Sequence, residues 1–117
     1  MFDFEKLIAY TKAKIFNLQI KKDILGIESL ERNIKDQLRR ASLSIVLNIA
    51  ESTSRFSDAD KRNFYVVARG SLIECIAVLD LLKDDLIINK DLYLELYTKG
   101  EELSKILFTL IKGLEKK

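Results

Sequence analysis

The chain has no histidine, no proline, one cysteine and four glycines in 117 residues. Without histidine it lacks the commonest general base and the commonest transition-metal ligand. The same absence excludes the Glu-x-x-His pairs of di-iron bundles. The lone Cys75 cannot form an internal disulfide, which fits a reducing cytoplasm. Its neighbours Leu72, Ile76 and Leu79 mark it as a buried apolar residue rather than a reactive thiol. No glycine-rich phosphate loop, cysteine pair or nucleophile elbow occurs. Two acid pairs stand one helical turn apart, Asp80 with Asp84 and Asp91 with Glu95. A hard cation is one reading of them; solvated helix ends are the other. The opening MFDFEKLIAY carries acids where a secretory signal carries bases. No apolar run approaches the ~20 residues that span a bilayer. These absences point away from an enzyme and call for no cofactor or metal.

What is present is helix-forming. Apolar residues make up 48% and charged residues 32% of the chain. The scarcity of glycine and proline, with abundant Leu, Ile, Lys and Glu, favours long helices. Residues 1–117 are read as one domain. The net charge is +2, so any attraction to polyanions must come from local patches.

Four helices are expected. The first runs from Asp3, as cap, to about Ile20, with Phe4, Leu7, Ile8, Thr11, Ile15 and Leu18 facing the core. Lys21–Ser29 is expected to be a connection, with Ser29 capping the next helix. The second helix runs from about Leu30 to Ser54 on a core stripe of Leu30, Ile34, Leu38, Ala41, Ile45 and Ile49. The third starts after Ser57, which forms with Asp60 a variant capping box, and ends near Lys83. The fourth starts after Asn89 and carries Leu92, Leu96, Leu103, Leu107, Leu110 and Leu114, with a break at Lys99–Gly100. Short connections imply antiparallel neighbours, hence an all-α, antiparallel up-down-up-down four-helix bundle.

Two of these helices are apolar on more than one side. Opposite the core stripe of the second lie Leu43, Val46, Leu47 and Ala50. Behind the core face of the third lie Val66, Gly70, Ile73, Ala77 and Leu81. A helix in a solitary bundle needs one apolar stripe and a wet back. The doubled faces predict a homo-oligomer, with Leu43, Val46, Leu47, Ala50, Val66, Gly70, Ile73 and Ala77 at the subunit interface. Gly70 and Ala77, one heptad apart, would let another backbone come close.

A polar stripe separates the two faces of the second helix. Arg40, Ser44, Asn48 and Glu51, with Ser71 and Glu74 on the third, are expected to form a register-fixing network; a small-ligand pocket is the alternative. A basic set is also present: Arg32, Lys35 and Arg39 on one flank, then Arg55 and Arg62. Such flanks are often merely solvated, but they also suit RNA or DNA phosphates.

The block QLRRASLSIVLNIAES (37–52), with ARGSLIEC (68–75), resembles the four-helix-bundle proteins encoded in intervening sequences of bacterial 23S ribosomal RNA genes. The positions that carry the resemblance are Gln37, Arg39, Arg40, Ala41, Ser44, Ile45, Asn48, Ile49, Ala50, Glu51, Gly70, Ser71 and Glu74. The opening FEKLIAYTKA fits the same family. Ser52 stands where the family usually has glycine, and the connection before the second helix lacks a frequent proline. The resemblance implies a bacterial bundle assembled as a ring, a homopentamer. It also implies kinship with accessory proteins of diversity-generating retroelements, which work with a reverse transcriptase and nucleic acid. The expected role is therefore non-catalytic nucleic-acid binding in the cytoplasm, away from membranes. A scaffold docking a partner enzyme is the alternative.

Overall fold

A computed structural model describes residues 1–115. Four α-helices lie side by side: α1 (Ile8–Gln19), α2 (Arg32–Ser52), α3 (Asp58–Asp84) and α4 (Lys90–Gly113). Contacts join α1 to α2, α2 to α3, α3 to α4 and α4 back to α1, with α2–α3 the most extensive. The two diagonal pairs have no Cα atoms within 8 Å of each other, so the four helices form a square, up-down-up-down bundle.

Capping explains two of the starts. Ser57 Oγ accepts from Asp60 N–H at 3.1 Å, and Asn89 Oδ1 from Leu92 N–H at 2.8 Å. Each satisfies an amide that has no intrahelical partner. Ser29 does not cap α2; the residue before its first turn is Glu31, whose side chain makes no cap bond. Helix α3 ends in a Schellman turn: Ile87 N–H bonds Leu82 O at 2.9 Å and Leu86 N–H bonds Lys83 O at 3.0 Å. Leu86 therefore sits at φ 62°, where glycine is usual. Holding leucine there costs about 1–2 kcal/mol.

The first helix departs from expectation in both extent and facing. Asp3 lies in a separate 3₁₀ turn (Asp3–Lys6), and Leu7 is extended, so α1 begins at Ile8. At its far end the chain does not leave the helix at Lys21. It widens into a π-turn over Ile20–Ile24, with Leu25 N–H bonding Ile20 O at 3.0 Å. That turn carries Ile24 into the core. The buried side of α1 is Ala9, Ala13, Phe16 and Ile20, whereas Ile8, Ile15 and Leu18 face out. The alanines let the neighbouring helices approach, and Phe16 fills the space that this leaves at mid-height.

The other core stripes follow the expected pattern. Leu30, Leu38, Ala41, Ile45 and Ile49 from α2 and its lead-in are buried. So are Ala68, Leu72, Cys75, Val78, Leu79 and Leu82 from α3, and Leu96, Leu103 and Leu107 from α4. Tyr65 joins them unforeseen. Gly100 is a point of close approach: a Cβ there would lie 2.7 Å from Ile76 Cδ1 of α3. At the apparent break in the leucine rhythm of α4, the Ile76 side chain of α3 fills the space that a Cβ would take.

Candidate functional site

The outward faces of α2 and α3 carry the first candidate surface. Leu43, Leu47, Val66 and Ile73 are about half exposed, at 46%, 53%, 46% and 53%. Gly70 and Ala77 are exposed beside them, Ala50 is half-buried, and nothing lies within 4 Å of a Cβ built on Gly70. Val46, expected on this face, is instead only 7% exposed and belongs to the core. It stands one turn beyond Ser42, whose hydroxyl donates to Asn17 Oδ1 of α1 at 2.7 Å, so this edge of α2 is closed by α1. That Ser42–Asn17 bond was not anticipated; the only signal was a serine beside the apolar stripe. Phe2 and Phe4 lie against Leu47, Ala50 and Glu51, edging an open groove at the end of α2.

The polar stripe is partly assembled. Ser44 and Ser71 hydroxyls meet at 3.0 Å between α2 and α3. Asn48 Nδ2 donates to Ser44 Oγ at 3.0 Å and to Ser44 O at 2.8 Å. Gln37 Nε2 donates to Glu74 Oε2 at 3.3 Å. Glu51 turns away to Arg55, at 3.8 Å, and both it and Arg40 are exposed. The helix 2–helix 3 seam is thus fixed by Ser44, Asn48 and Ser71, with Gln37 and Glu74 at its wet edge. A directional seam of this kind penalises sliding by a turn, because each hydroxyl would lose its partner.

The basic residues fall into two groups at opposite ends of α2, whose 21 residues span about 30 Å. Arg32, Lys35 and Arg39 line one shallow concavity with Leu30 and Asp36. Asp36 holds Arg39 at 3.2 Å, leaving the cluster net positive. The other group is occupied internally. Arg55 stacks over the Phe64 ring at 4.6 Å as well as meeting Glu51. Arg62 approaches Glu115 at 4.0 Å. Its Nε is buried without a hydrogen-bond partner among the described residues, as is that of Arg69.

The third feature is a groove of about 450 Å³ between α3 and α4, lined by Ile73, Ala77, Tyr93, Tyr97, Asp80 and Glu101. Lys83 reaches Asp80 at 2.9 Å and lies 4.4 Å above the Tyr93 ring. The hydrogen bond to Asp80 raises the Lys83 pKa, so this ammonium stays charged. Tyr93 is raised too, first by burial and then by the Asp80 charge, so its phenol stays neutral. Asp80 and Asp84 thus answer Lys83, and no cluster of three or more metal-ligating side chains occurs among the described residues. Cys75 is fully buried; burial first, and the Glu74 charge second, push its thiol up to about 12. A thiol in that state is a core residue and no nucleophile. No described helix is long and apolar enough to cross a membrane.

Comparison with known proteins gives this geometry its relatives. A family model described as 23S rRNA-intervening sequence protein matches residues 5–109. The chain belongs to that family. The matched span includes all of α1, α2 and α3 and most of α4, so the family pattern is the bundle itself. Among solved structures, the chain is similar to a protein with unknown function from the S23 ribosomal protein family of Bacteroides thetaiotaomicron VPI-5482. The two share 27% identity with a TM-score of 0.84, over 90% of this chain and 99% of the other. No curated protein matched the chain.

Proposed function

We propose that this intervening-sequence family member is a non-catalytic bundle that assembles with copies of itself and holds nucleic-acid phosphates. The observation that carries the reading is the exposed apolar stripe Leu43–Leu47 on α2 with Val66–Ile73 on α3. Exposed apolar side chains gathered on the outer faces of two helices mark an interaction site. The family resemblance suggests a ring of five copies in the bacterial cytoplasm. Within it, Arg32, Lys35 and Arg39 are the phosphate contacts, because they stand together and only Asp36 answers them. Arg55 and Arg62, already engaged with Glu51, Phe64 and Glu115, add less. One cluster binds weakly, but a ring repeats it and converts separate weak contacts into avidity.

The test is a titration of ribosomal RNA fragments at two salt concentrations. Phosphate contacts demand affinity that falls steeply with salt, by about 10³-fold or more between 50 and 200 mM if six or more phosphates are engaged. Changing Arg32, Lys35 and Arg39 together to alanine should reduce both the affinity and its salt slope. Absence of binding at low salt would leave the second reading, a scaffold for a partner enzyme such as a reverse transcriptase. That reading draws on the same apolar stripe and predicts a partner retained after nuclease treatment.

A further inference from the structure

We infer that copies of this chain join head to tail, the lysine-edged outer face of α1 seating on the acid-edged outer face of α3 in the next copy. The inference rests on the self-assembly proposed above, keeps the α3 half of its apolar surface and gives that half a mate on α1. Ile8, Ile15 and Leu18 form an apolar strip along the outside of α1, with exposures of 67%, 49% and 64%. Lys14, Lys21 and Lys22 stand exposed around it, and no acid occurs from Ile8 to Lys22. Among the described residues no carboxylate pairs with these three; the neighbouring Lys12 is taken by Glu102 of α4.

The outer face of α3 has the opposite sign. Ile73 and Ala77 floor the groove beside α4, whose lining carboxylates are Asp80 and Glu101; Glu74 and Asp84 stand exposed elsewhere on α3. Lys83 answers Asp80 and Asp84, and Lys105 approaches Glu101 at 3.9 Å, so the rim stays acidic overall. The exposed Gly70 and Ala77 make this face shallow enough to accept a helix carrying isoleucine and leucine.

Geometry and charge then set the mode of joining. Helices α1 and α3 are diagonal in the bundle, with no Cα atoms within 8 Å of each other, so their outer faces point away from each other. One chain cannot cover its own strip. A two-fold dimer through either face would oppose lysine to lysine or carboxylate to carboxylate, which costs affinity. Pairing unlike faces avoids that and is heterologous, which closes into rings or runs into filaments.

Zero-length carbodiimide cross-linking of the unmodified protein tests this directly. Links from Lys14, Lys21 or Lys22 to Glu74 or Asp84 are expected, and because the outer faces of α1 and α3 lie on opposite sides of a subunit such links join two copies. Charge reversal gives a second test. A Lys14→Glu/Lys21→Glu/Lys22→Glu chain and an Asp84→Lys/Glu101→Lys chain should each fall to the single-chain mass, while the chain carrying all five changes reassembles. An assembly that persists through both sets and yields no such links would overturn this pairing while leaving self-assembly standing. An unmodified protein that is a single chain in solution would overturn both.

Discussion

Gly70→Leu is expected to separate the assembly into single chains without unfolding them. Within the subunit a side chain at Gly70 meets nothing within 4 Å. Replacing a mid-helix glycine by a good helix former should even stabilise the isolated bundle, by about 0.5–1 kcal/mol. Across an interface the added isobutyl group must displace packed atoms of the neighbour. Overpacking of that kind costs about 1–3 kcal/mol at each contact, or about 5- to 150-fold in association. Sedimentation equilibrium should therefore show a lower mass, and a thermal scan of the dilute protein should show an unchanged or higher Tm. An unchanged assembly would take α3's outer face out of the interface.

Phe16→Ala should have the largest effect on the bundle itself. Phe16 is 1% exposed, the bulkiest fully buried side chain, on the face that α1 turns inward. Its truncation should cost about 3–5 kcal/mol. Typical domain stability is only about 5–15 kcal/mol, so much of the fold's margin would go. Ile15→Ala, one residue earlier and half exposed, should change the stability of the isolated chain by about 0.5 kcal/mol or less. Urea unfolding of both changes in the Gly70→Leu background, where association contributes nothing, checks the pair. Equal costs, or the reverse ranking, would mean that the other side of α1 faces the core.

This pair also shows where the sequence was legible. On α2 and α3 the periodicity alone separated the inner residues Leu38, Ile45, Ile49, Leu72 and Leu79 from the outer Leu43, Leu47 and Ile73. There the large residues lie on the core side and polar stripes divide the faces. On α1 both sides are apolar, and hydrophobicity does not choose between them. Bulk suggested Ile8, Ile15 and Leu18, yet the core needed the small Ala9 and Ala13 so that α2 and α4 could close in. Leu7 added to the error. Its extended backbone breaks the helix, so Phe4 lies outside α1 and cannot set its phase. Gly100 read as an interruption because a sequence does not show which neighbour lies opposite a glycine; here it is Ile76.

The candidate site was legible to a smaller degree. Arg32, Lys35 and Arg39 stand together, as their spacing on one helix implies. Arg55 and Arg62 look equally free in sequence, but their partners Phe64 and Glu115 are set by tertiary packing. Ser44, Asn48 and Ser71 could be paired because Ser44 and Asn48 lie on the same flank of α2 and α3 follows it directly. The lysines around the outer strip of α1 give no signal in the sequence for the same reason as the strip itself: its bulk reads as core.

The mass of the unmodified protein in solution bears on all of this most directly. Light scattering at micromolar concentration should return a multiple of the 13.5 kDa chain. A stable 13.5 kDa species at that concentration, with the exposed leucines and isoleucines of α1, α2 and α3 left facing water, would contradict the account.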